Sequence, residues 1–210
     1  MKYIIMCGGR YDGWTTPRQM IKIRGEPIVA RTIRLLRECG VDDIAISTND
    51  DRFAEFGVPL LKHENSFQGY VDHDGGSWVE GFYPTDEPVC YLLGDVVFSP
   101  DSIKKIVNTD TTSIEFFASA PPFHYRYIKP YAEPFAFKVV DQRYFRECIN
   151  FVIRHEDLFH RRPIAWELWQ VITGKELNNI DYTTYTVIND YTCDIDTMDD
   201  VALIEKNIVP

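Results

Sequence analysis

Short apolar runs alternate with amphipathic stretches along the chain. Lys2–Met6 and Val89–Leu93 are apolar runs that lead directly into glycine-containing segments, and they predict buried strands. The apolar residues of Ile28–Cys39 recur at helical spacing and stop before Gly40, which predicts an amphipathic helix that ends at a glycine. This alternation of short strands and helices is typical of an α/β fold with a mostly parallel sheet covered by helices on both faces.

The remaining pattern extends this arrangement. Four prolines interrupt an aromatic-rich region between residues 119 and 141, which predicts a long loop and then an extended antiparallel segment at Tyr131–Val140. Further strands are predicted at Asp43–Thr48, Val58–Leu61, Ser113–Ala118 and Thr183–Ile188. Further helices are predicted at Gly76–Tyr83, after Pro100, and at Gln142–Arg154, Pro163–Val171 and Met198–Asn207.

The predicted sheet also indicates where a ligand would bind. Ligands of Rossmann-like sheets bind beyond the carboxyl ends of the strands. Cys7–Gly9 and Gly94–Asp95 both follow predicted strands, so they face one crevice if Lys2–Met6 and Val89–Leu93 are neighbours. Because no repeat, low-complexity tract or linker interrupts the pattern, we expect a single domain over residues 1–210.

The composition narrows the class of partner. The chain has 22 basic against 32 acidic residues and a formal net charge of −10. This excludes broad binding to nucleic acid, because phosphate backbones need a basic face. No stretch approaches the roughly 20 apolar residues that a membrane-spanning helix needs. The five cysteines form no CxxC pair and the first apolar run is too short for a signal peptide, so we expect free thiols and a cytoplasmic protein.

The residues after the first strand can form an anion site. Gly8 and Gly9 allow backbone N–H groups to approach a phosphate group. The guanidinium groups of Arg10 and Arg18 suit phosphate oxygens. On these residues alone, an ordinary glycine turn explains the pair equally well.

Two further elements follow this glycine pair before the predicted helix, at Pro17-Arg18-Gln19-Met20 and Gly25-Glu26-Pro27-Ile28. With them, the opening resembles that of the nucleotidyltransferases of glycosyltransferase-A-like fold, which include sugar-phosphate and phosphocholine nucleotidyltransferases. In that family a strand, a glycine-rich turn, Pro-Lys-x-Leu and Gly-x-Pro-hydrophobic come in this order. Tyr11 and Gly13 depart from the family's glycine and arginine, and Arg18 takes the place of its lysine.

The segment Leu92–Phe98 contains a predicted strand end at Gly94-Asp95. It resembles the family's Gly-Asp motif, which implies that Asp95 holds Mg²⁺ against the phosphates of a nucleotide. The alternative is a purely structural role, in which Asp95 only caps a turn at the end of the strand.

A second aspartate segment lies at Cys193–Asp200. It resembles the family's closing Ile-Asp-Thr segment, which implies that Asp196 is the second Mg²⁺ ligand. Asp194, two residues earlier on the same strand face, is the alternative. Asp199 and Asp200 complement the N-terminus of the predicted last helix, for which Thr197 is a good N-cap.

The base-binding and acceptor-binding residues rest on shorter signals. A Gly/Ser turn before a helix contacts the base and ribose in the family, which implies nucleotide contacts for Gly75, Gly76 and Ser77, although small residues also simply start helices well. Trp166 and Trp169 share a helix face beside Glu167, where they could hold a cationic or amine-bearing group. Packing of these tryptophans in the core is the alternative. Four cations could hold an anionic acceptor, namely Arg126, Lys129, Arg161 and Arg162.

Together, these residues and the resemblance imply a Mg²⁺-dependent nucleotidyltransferase. A nucleoside triphosphate, with CTP preferred, would donate its nucleotidyl group to a sugar phosphate or phospho-alcohol and release pyrophosphate. Cys7, Gly8 and Gly9 would bind the nucleotide, while Arg10 and Arg18 would stabilise charge on the triphosphate. The alternatives are a metal-dependent glycosyltransferase that uses a nucleotide sugar and a non-catalytic nucleotide-binding protein. The sequence leaves a homodimer open.

Overall fold

A seven-stranded mixed sheet lies at the centre of the fold. The computed structural model describes residues 1–8, 16–62, 78–121, 123 and 131–207, and the elements below are those of these ranges. The strands are β1 (Lys2–Met6), β2 (Lys22–Ile23), β3 (Glu26–Pro27), β4 (Ile44–Ser47), β5 (Leu60–Leu61), β6 (Val89–Leu93), β7 (Val96–Val97), β8 (Ile114–Ser119), β9 (Pro134–Val139), β10 (Thr186–Ile188) and β11 (Cys193–Asp194). The helices are α1 (Ile28–Glu38), α2 (Pro100–Asn108), α3 (Gln142–Arg154), α4 (Ala165–Thr173) and α5 (Met198–Asn207).

The order of strands in the main sheet is β10-β8-β9-β6-β1-β4-β5. Strand β9 runs antiparallel to both of its neighbours, and every other adjacent pair in this sheet is parallel. The sequence therefore predicted the α/β class, the mostly parallel mixed sheet and the antiparallel segment correctly. Strands β1 and β6 are neighbours, which is the condition for Cys7 and Gly94 to face one crevice.

Both faces of the sheet are buried, and this explains why the central strands carry apolar residues on both faces. Tyr3 and Ile5 of β1 pack with α1, α2 and α5, whereas Ile4 points to the opposite face, which α3 and α4 cover. Successive side chains of a strand point to opposite faces, so a strand between two helical layers needs an apolar residue at each position. Within the described ranges, no helix is both long and apolar enough to cross a bilayer. All five cysteines are free.

The bounds of the elements follow the predicted ones closely, with one difference in type. Four predicted elements have their predicted limits, namely Lys2–Met6, Val89–Leu93, Gln142–Arg154 and Met198–Asn207. In contrast, the described part of the helix predicted at Gly76–Tyr83 is a short 3-10 helix, Trp78–Gly81. Gly81 and the following Pro84 explain this difference, because neither residue supports a continuing α-helix.

One buried cation joins the sheet to a helix end. The side chain of Lys138, on β9, lies under the C-terminus of α2, where Nζ donates to the carbonyl oxygens of Val107 (3.0 Å) and Thr109 (2.6 Å). Burial lowers the pKa of Lys138. The ammonium group satisfies carbonyls that no helical N–H can reach, at the end of the helix that favours positive charge.

We therefore expect Lys138→Met to lower the free energy of unfolding by about 1–3 kcal/mol, because it leaves two helix-terminal carbonyls without their donor. Chemical denaturation of the purified variant measures this loss. Lys104→Met is the matched control, because Lys104 is an exposed residue of the same helix and its loss should change stability little. Equal stability of the two variants would contradict a stabilising role for Lys138.

Candidate functional site

The carboxyl ends of β1 and β6 approach each other unusually closely at Gly94. The backbone N–H of Gly94 donates to the carbonyl oxygen of Met6 at 3.0 Å. A Cβ atom at position 94 would lie 2.4 Å from that oxygen and 2.8 Å from Cys7 Sγ. Backbone oxygen cannot yield as a flexible side chain can, so the strand ends can meet in this way only because residue 94 is glycine.

Cys7, the residue after β1, packs beside Gly94 where the two strand ends meet. Its side chain is fully buried, and its backbone N–H donates to the carbonyl oxygen of Ser47 at 2.9 Å. Burial, and then the nearby charge of Asp95, raise the pKa of the Cys7 thiol well above its usual value. The group therefore stays protonated and packs as a small apolar residue instead of acting as a nucleophile. Gly8, which follows it, is partly exposed.

Backbone pairing brings the second aspartate segment to this place. Strand β11 runs antiparallel to β7, with Cys193 opposite Val97 and Asp194 opposite Val96. The ladder continues one step further, because the N–H of Ile195 donates to the carbonyl oxygen of Asp95 at 3.0 Å. Two segments that are distant in sequence thus lie side by side.

Arg18 joins the two aspartates that the sequence proposed as metal ligands. Its Nη1 contacts Asp196 Oδ1 at 2.9 Å, and its Nη2 contacts Asp95 Oδ2 at 3.3 Å. Nη1 also donates to the carbonyl oxygen of Ile195 at 3.0 Å. One guanidinium group therefore spans both carboxylates. The side chains of Arg18, Asp95 and Asp196 are 26%, 25% and 51% exposed, so the cluster is open to a ligand from solvent.

The backbone around Asp196 is held by the start of α5. Asp200 Oδ2 accepts hydrogen bonds from the N–H groups of Asp196 (3.1 Å) and Thr197 (2.7 Å) and from Thr197 Oγ1 (2.9 Å). The expected role of Asp200 at this helix N-terminus is thereby observed. Asp194 is buried in β11, whereas Asp196 is the half-exposed aspartate in contact with Arg18.

Gln19 is a residue of this site that the sequence analysis did not single out. It follows Arg18 on the 3-10 helix Arg18–Met20 and is 5% exposed. Its Cγ lies 3.0 Å from the position of a Cβ on Gly94, and its Oε1 has no hydrogen-bond partner in the part of the chain that the structure describes. The sequence signal that could have indicated Gln19 is a polar residue between Arg18 and the apolar pair Met20-Ile21, which packs against the core.

Trp166 and Glu167 have structural contacts of their own. Trp166 is 1% exposed, and its Nε1 donates to the carbonyl oxygen of Ala132 at 2.7 Å. Buried Glu167 accepts from Arg161 Nε (2.5 Å) and from the N–H of Ile164 (3.0 Å), so it caps α4. Burial of Trp166 and Trp169 favours the alternative that the tryptophans belong to the core. Arg161, by contrast, is 55% exposed while its guanidinium is anchored by Glu167.

Arg162, the neighbour of Arg161, is exposed. The other remaining sequence-predicted residues lie outside the described ranges. They are Gly9, Arg10, Gly75, Gly76, Ser77, Arg126 and Lys129. Of the predicted site, the structure therefore brings together Cys7, Arg18, Asp95 and Asp196. The described acceptor candidates Trp166 and Glu167 belong to α4, which covers the face of the sheet opposite to α1, α2 and α5.

Comparison with known proteins places this chain in a family. A model of the MobA-like NTP transferase domain matches residues 3–134. The chain belongs to this family. The match confirms the resemblance to nucleotidyltransferases, so nucleotidyl transfer is the class of activity that the family membership supports. The matched range contains Arg18 and Asp95 but ends before Asp196. No curated protein sequence matches the chain significantly.

Solved structures extend the likeness to the whole fold. A protein assigned as a glucose-1-phosphate thymidylyltransferase from Bacillus anthracis, in complex with a sucrose, has a TM-score of 0.65 at 16% identity, over 98% of this chain and 94% of that one. The 4-diphosphocytidyl-2C-methyl-D-erythritol synthase of Anaerococcus prevotii has a TM-score of 0.57 at 10% identity, over 98% and 96%. HddC from Yersinia pseudotuberculosis, complexed with GMP-PN, has a TM-score of 0.53 at 13% identity, over 98% of both chains. At identities this low, the structural likeness shows a shared fold.

The close approach at Gly94 yields a specific prediction. Gly94→Ala should force β6 away from the Met6 carbonyl, lower stability by about 1–3 kcal/mol through overpacking, and displace Asp95. We expect a loss of both unfolding free energy and activity per folded molecule, measured by denaturation and by pyrophosphate release.

Gly40→Ala is the matched control. A Cβ at Gly40 meets nothing within 4 Å, but its φ of +79° makes alanine there unfavourable by about 1–2 kcal/mol. Gly40 precedes β4, at the amino ends of the parallel strands and away from the candidate site. This variant should therefore lose stability and keep its activity per folded molecule. If Gly94→Ala also kept full activity, the close approach would not be what positions Asp95.

Proposed function

We propose that this protein transfers a nucleotidyl group from a nucleoside triphosphate to a phosphorylated small molecule and releases pyrophosphate. The observation that carries the proposal is the meeting of Asp95, Asp196 and Arg18 at the carboxyl edge of the parallel strands, beside Gly8. Ligands of such sheets bind at this edge. Membership in the NTP transferase family supports the same reaction class.

In the proposed reaction, a phosphate oxygen of the acceptor attacks the α-phosphorus of the triphosphate. A new P–O bond forms as the bond to the β-phosphate oxygen breaks in line, and pyrophosphate carries away the electron pair. The step requires no covalent enzyme intermediate. Catalysis then consists of positioning the two anions and neutralising the charge that develops on them.

The carboxylates of Asp95 and Asp196 fit a Mg²⁺ ion. Both supply hard oxygen donors, and they lie near enough for one guanidinium to contact both. Across the described residues, no group of three or more His, Cys, Asp or Glu side chains forms a metal site. Two carboxylates nevertheless suffice, because protein-bound Mg²⁺ usually completes its shell with phosphate oxygens and water. When bound, the ion would offset the negative charge of the phosphates and of the acceptor.

The triphosphate would lie along the segment that follows β1. We assign phosphate contacts to the backbone of Gly8 and Gly9 and to the guanidinium groups of Arg10 and Arg18. Cys7 would shape the base of this binding segment, since its thiol is buried and its backbone N–H already donates to Ser47. Gly75, Gly76 and Ser77 would contact the base and ribose, with CTP as the preferred nucleotide.

The acceptor would be a sugar phosphate or a phospho-alcohol, held by cations that include Arg126 and Lys129. Arg161 suits the same task, because buried Glu167 fixes its guanidinium while much of the side chain remains exposed. Glu167 would then contribute by holding this guanidinium in place, while Trp166 packs in the core of the same helix layer. Free cysteines suit a reducing compartment, so we propose a cytoplasmic location.

The aspartates give the sharpest test of the reaction. Asp95→Asn and Asp196→Asn should each lower the rate of pyrophosphate release by about 10²–10³-fold, because each removes a charged oxygen ligand while keeping the shape of the side chain. Circular dichroism should show an unchanged fold.

Asp199→Asn serves as the control, because Asp199 is an exposed aspartate in the first turn of α5, the helix that follows Asp196. It should retain the wild-type rate. Full turnover by both Asp95→Asn and Asp196→Asn on the same substrates would refute the assignment of these residues.

The preferred nucleotide can be tested by thermal unfolding with Mg²⁺ and each of CTP, UTP, dTTP, GTP and ATP. A ligand that binds only the native state raises the apparent stability, by about 2.7 kcal/mol at a hundredfold excess over Kd. We expect CTP to raise the melting temperature most. A larger shift with a purine nucleotide would rule out the preference for CTP.

A further inference from the structure

Arg18 occupies the position between the carboxylates that a divalent cation would take. Its contacts with Asp95 Oδ2 (3.3 Å) and Asp196 Oδ1 (2.9 Å) use one oxygen of each group. A cation bound by both aspartates needs oxygens that face each other across the same gap. The guanidinium and the ion therefore compete for one location between the same two negative charges.

The geometry of this contact depends on arginine. A guanidinium is planar and presents several N–H donors in a fixed fork, so its two Nη atoms can bind separate carboxylates at once. An ammonium group is a compact point charge on a flexible stem. The bridge between Asp95 and Asp196 therefore depends on residue 18 being arginine.

Without a cation between them, the two carboxylates would repel each other. Like charges separated by a few ångströms are unfavourable, most of all where the site is partly shielded from water, as it is at Asp95. Arg18 removes this repulsion in the free protein. It also holds the segment after β11, through the hydrogen bond of Nη1 to the Ile195 carbonyl oxygen.

We propose that Arg18 is a built-in counter-ion that keeps the metal site assembled but closed to divalent cations until a nucleoside triphosphate binds. The negative phosphates would then draw the guanidinium away from Asp95 and Asp196, and these two residues would hold the divalent cation. This inference rests on the proposed function. It assigns Arg18 two successive partners, first the aspartates and then the triphosphate.

The anchoring of Arg18 suits such an exchange. Its backbone belongs to the 3-10 helix Arg18–Met20. The next residue of this helix, Gln19, has a buried side chain that packs beside Gly94. The Arg18 side chain itself is about a quarter exposed. The guanidinium can therefore change partners by rotation of its own side chain while the backbone and the sheet edge stay in place.

The exchange makes the binding of metal and nucleotide interdependent. If the triphosphate removes a competitor of the cation, it must raise the affinity for the cation, and the cation must raise the affinity for the triphosphate by the same factor. Removal of Arg18 should abolish most of this coupling, since its guanidinium is then no longer present to be displaced.

Binding of Mn²⁺, followed by electron paramagnetic resonance without any nucleotide, tests the proposal. The wild-type protein should bind Mn²⁺ weakly, and Arg18→Gln should bind it about tenfold more tightly, within the usual range of coupling between sites. Arg18→Lys should fall between them, because an ammonium group neutralises less of the pair. Asp95→Asn combined with Arg18→Gln should lose the tight binding, which locates the ion.

Arg24→Gln is the matched control. Arg24 also uses its guanidinium for an internal contact, from Nη2 to the carbonyl oxygen of Glu205 at 2.9 Å, but it does not bridge the aspartates. This variant should bind Mn²⁺ as the wild type does. If Arg18→Gln bound Mn²⁺ no more tightly than the wild type and Arg24→Gln, the counter-ion role would be wrong.

Thermal unfolding provides a second measurement that does not depend on turnover. Without metal, Arg18→Gln should be less stable than the wild type, and Mn²⁺ should stabilise the variant more than the wild type. A variant that gained nothing from Mn²⁺ would contradict the proposal. If Arg18→Gln bound Mn²⁺ tightly but the wild-type protein released no pyrophosphate from any triphosphate, the proposed reaction would be refuted and the counter-ion role would stand.

Discussion

The antiparallel pairing of β7 with β11 is the contact on which the candidate site depends. It aligns the backbone of Ile195 with that of Asp95 and so fixes how near the second aspartate segment comes to the first. Main-chain hydrogen bonds hold a separation more firmly than flexible side chains do, because their donors and acceptors have little freedom once the strands pair. Asp200 then secures the next step by binding the N–H of Asp196. The side chains of the two aspartates need only short reaches from these fixed positions.

A second constraint acts from the other side, where β1 and β6 end. Gly94 lets the two strand ends come together, and Cys7 and Gln19 fill the space beneath. Buried groups under an exposed cluster limit how far the cluster can shift, because protein interiors are close-packed. The Gly-Asp pair therefore combines two tasks in adjacent residues. The glycine permits the packing of the strand ends, and the aspartate uses the position that this packing creates.

Charge explains why Arg18 is central to a site that is otherwise acidic. The chain carries a formal net charge of −10, and a nucleoside triphosphate is itself strongly negative. Local cations must therefore offset repulsion at the place of binding. Arg18 stands at this place and faces two carboxylates, so its charge is available both to the free site and to an incoming phosphate. Neighbours of 10–16% identity share the fold, which shows that the same architecture accommodates widely different sequences around this edge.

The sequence by itself determined the fold class, most of the main strands and helices, and which charged residues were candidates for the site. The bounds of β1 and β6 could be predicted because each is a short apolar run, and those of α3 and α5 because their apolar residues recur at helical spacing. Arg18, Asp95 and Asp196 could be named one by one from their motifs. Only the tertiary structure decided that one guanidinium joins both carboxylates, that Gln19 packs beneath them, and that Trp166 and Glu167 have contacts within the core and a helix cap. The physical reason is that contacts between residues far apart in the chain depend on how the elements pack, and they leave no periodic signal in the local sequence.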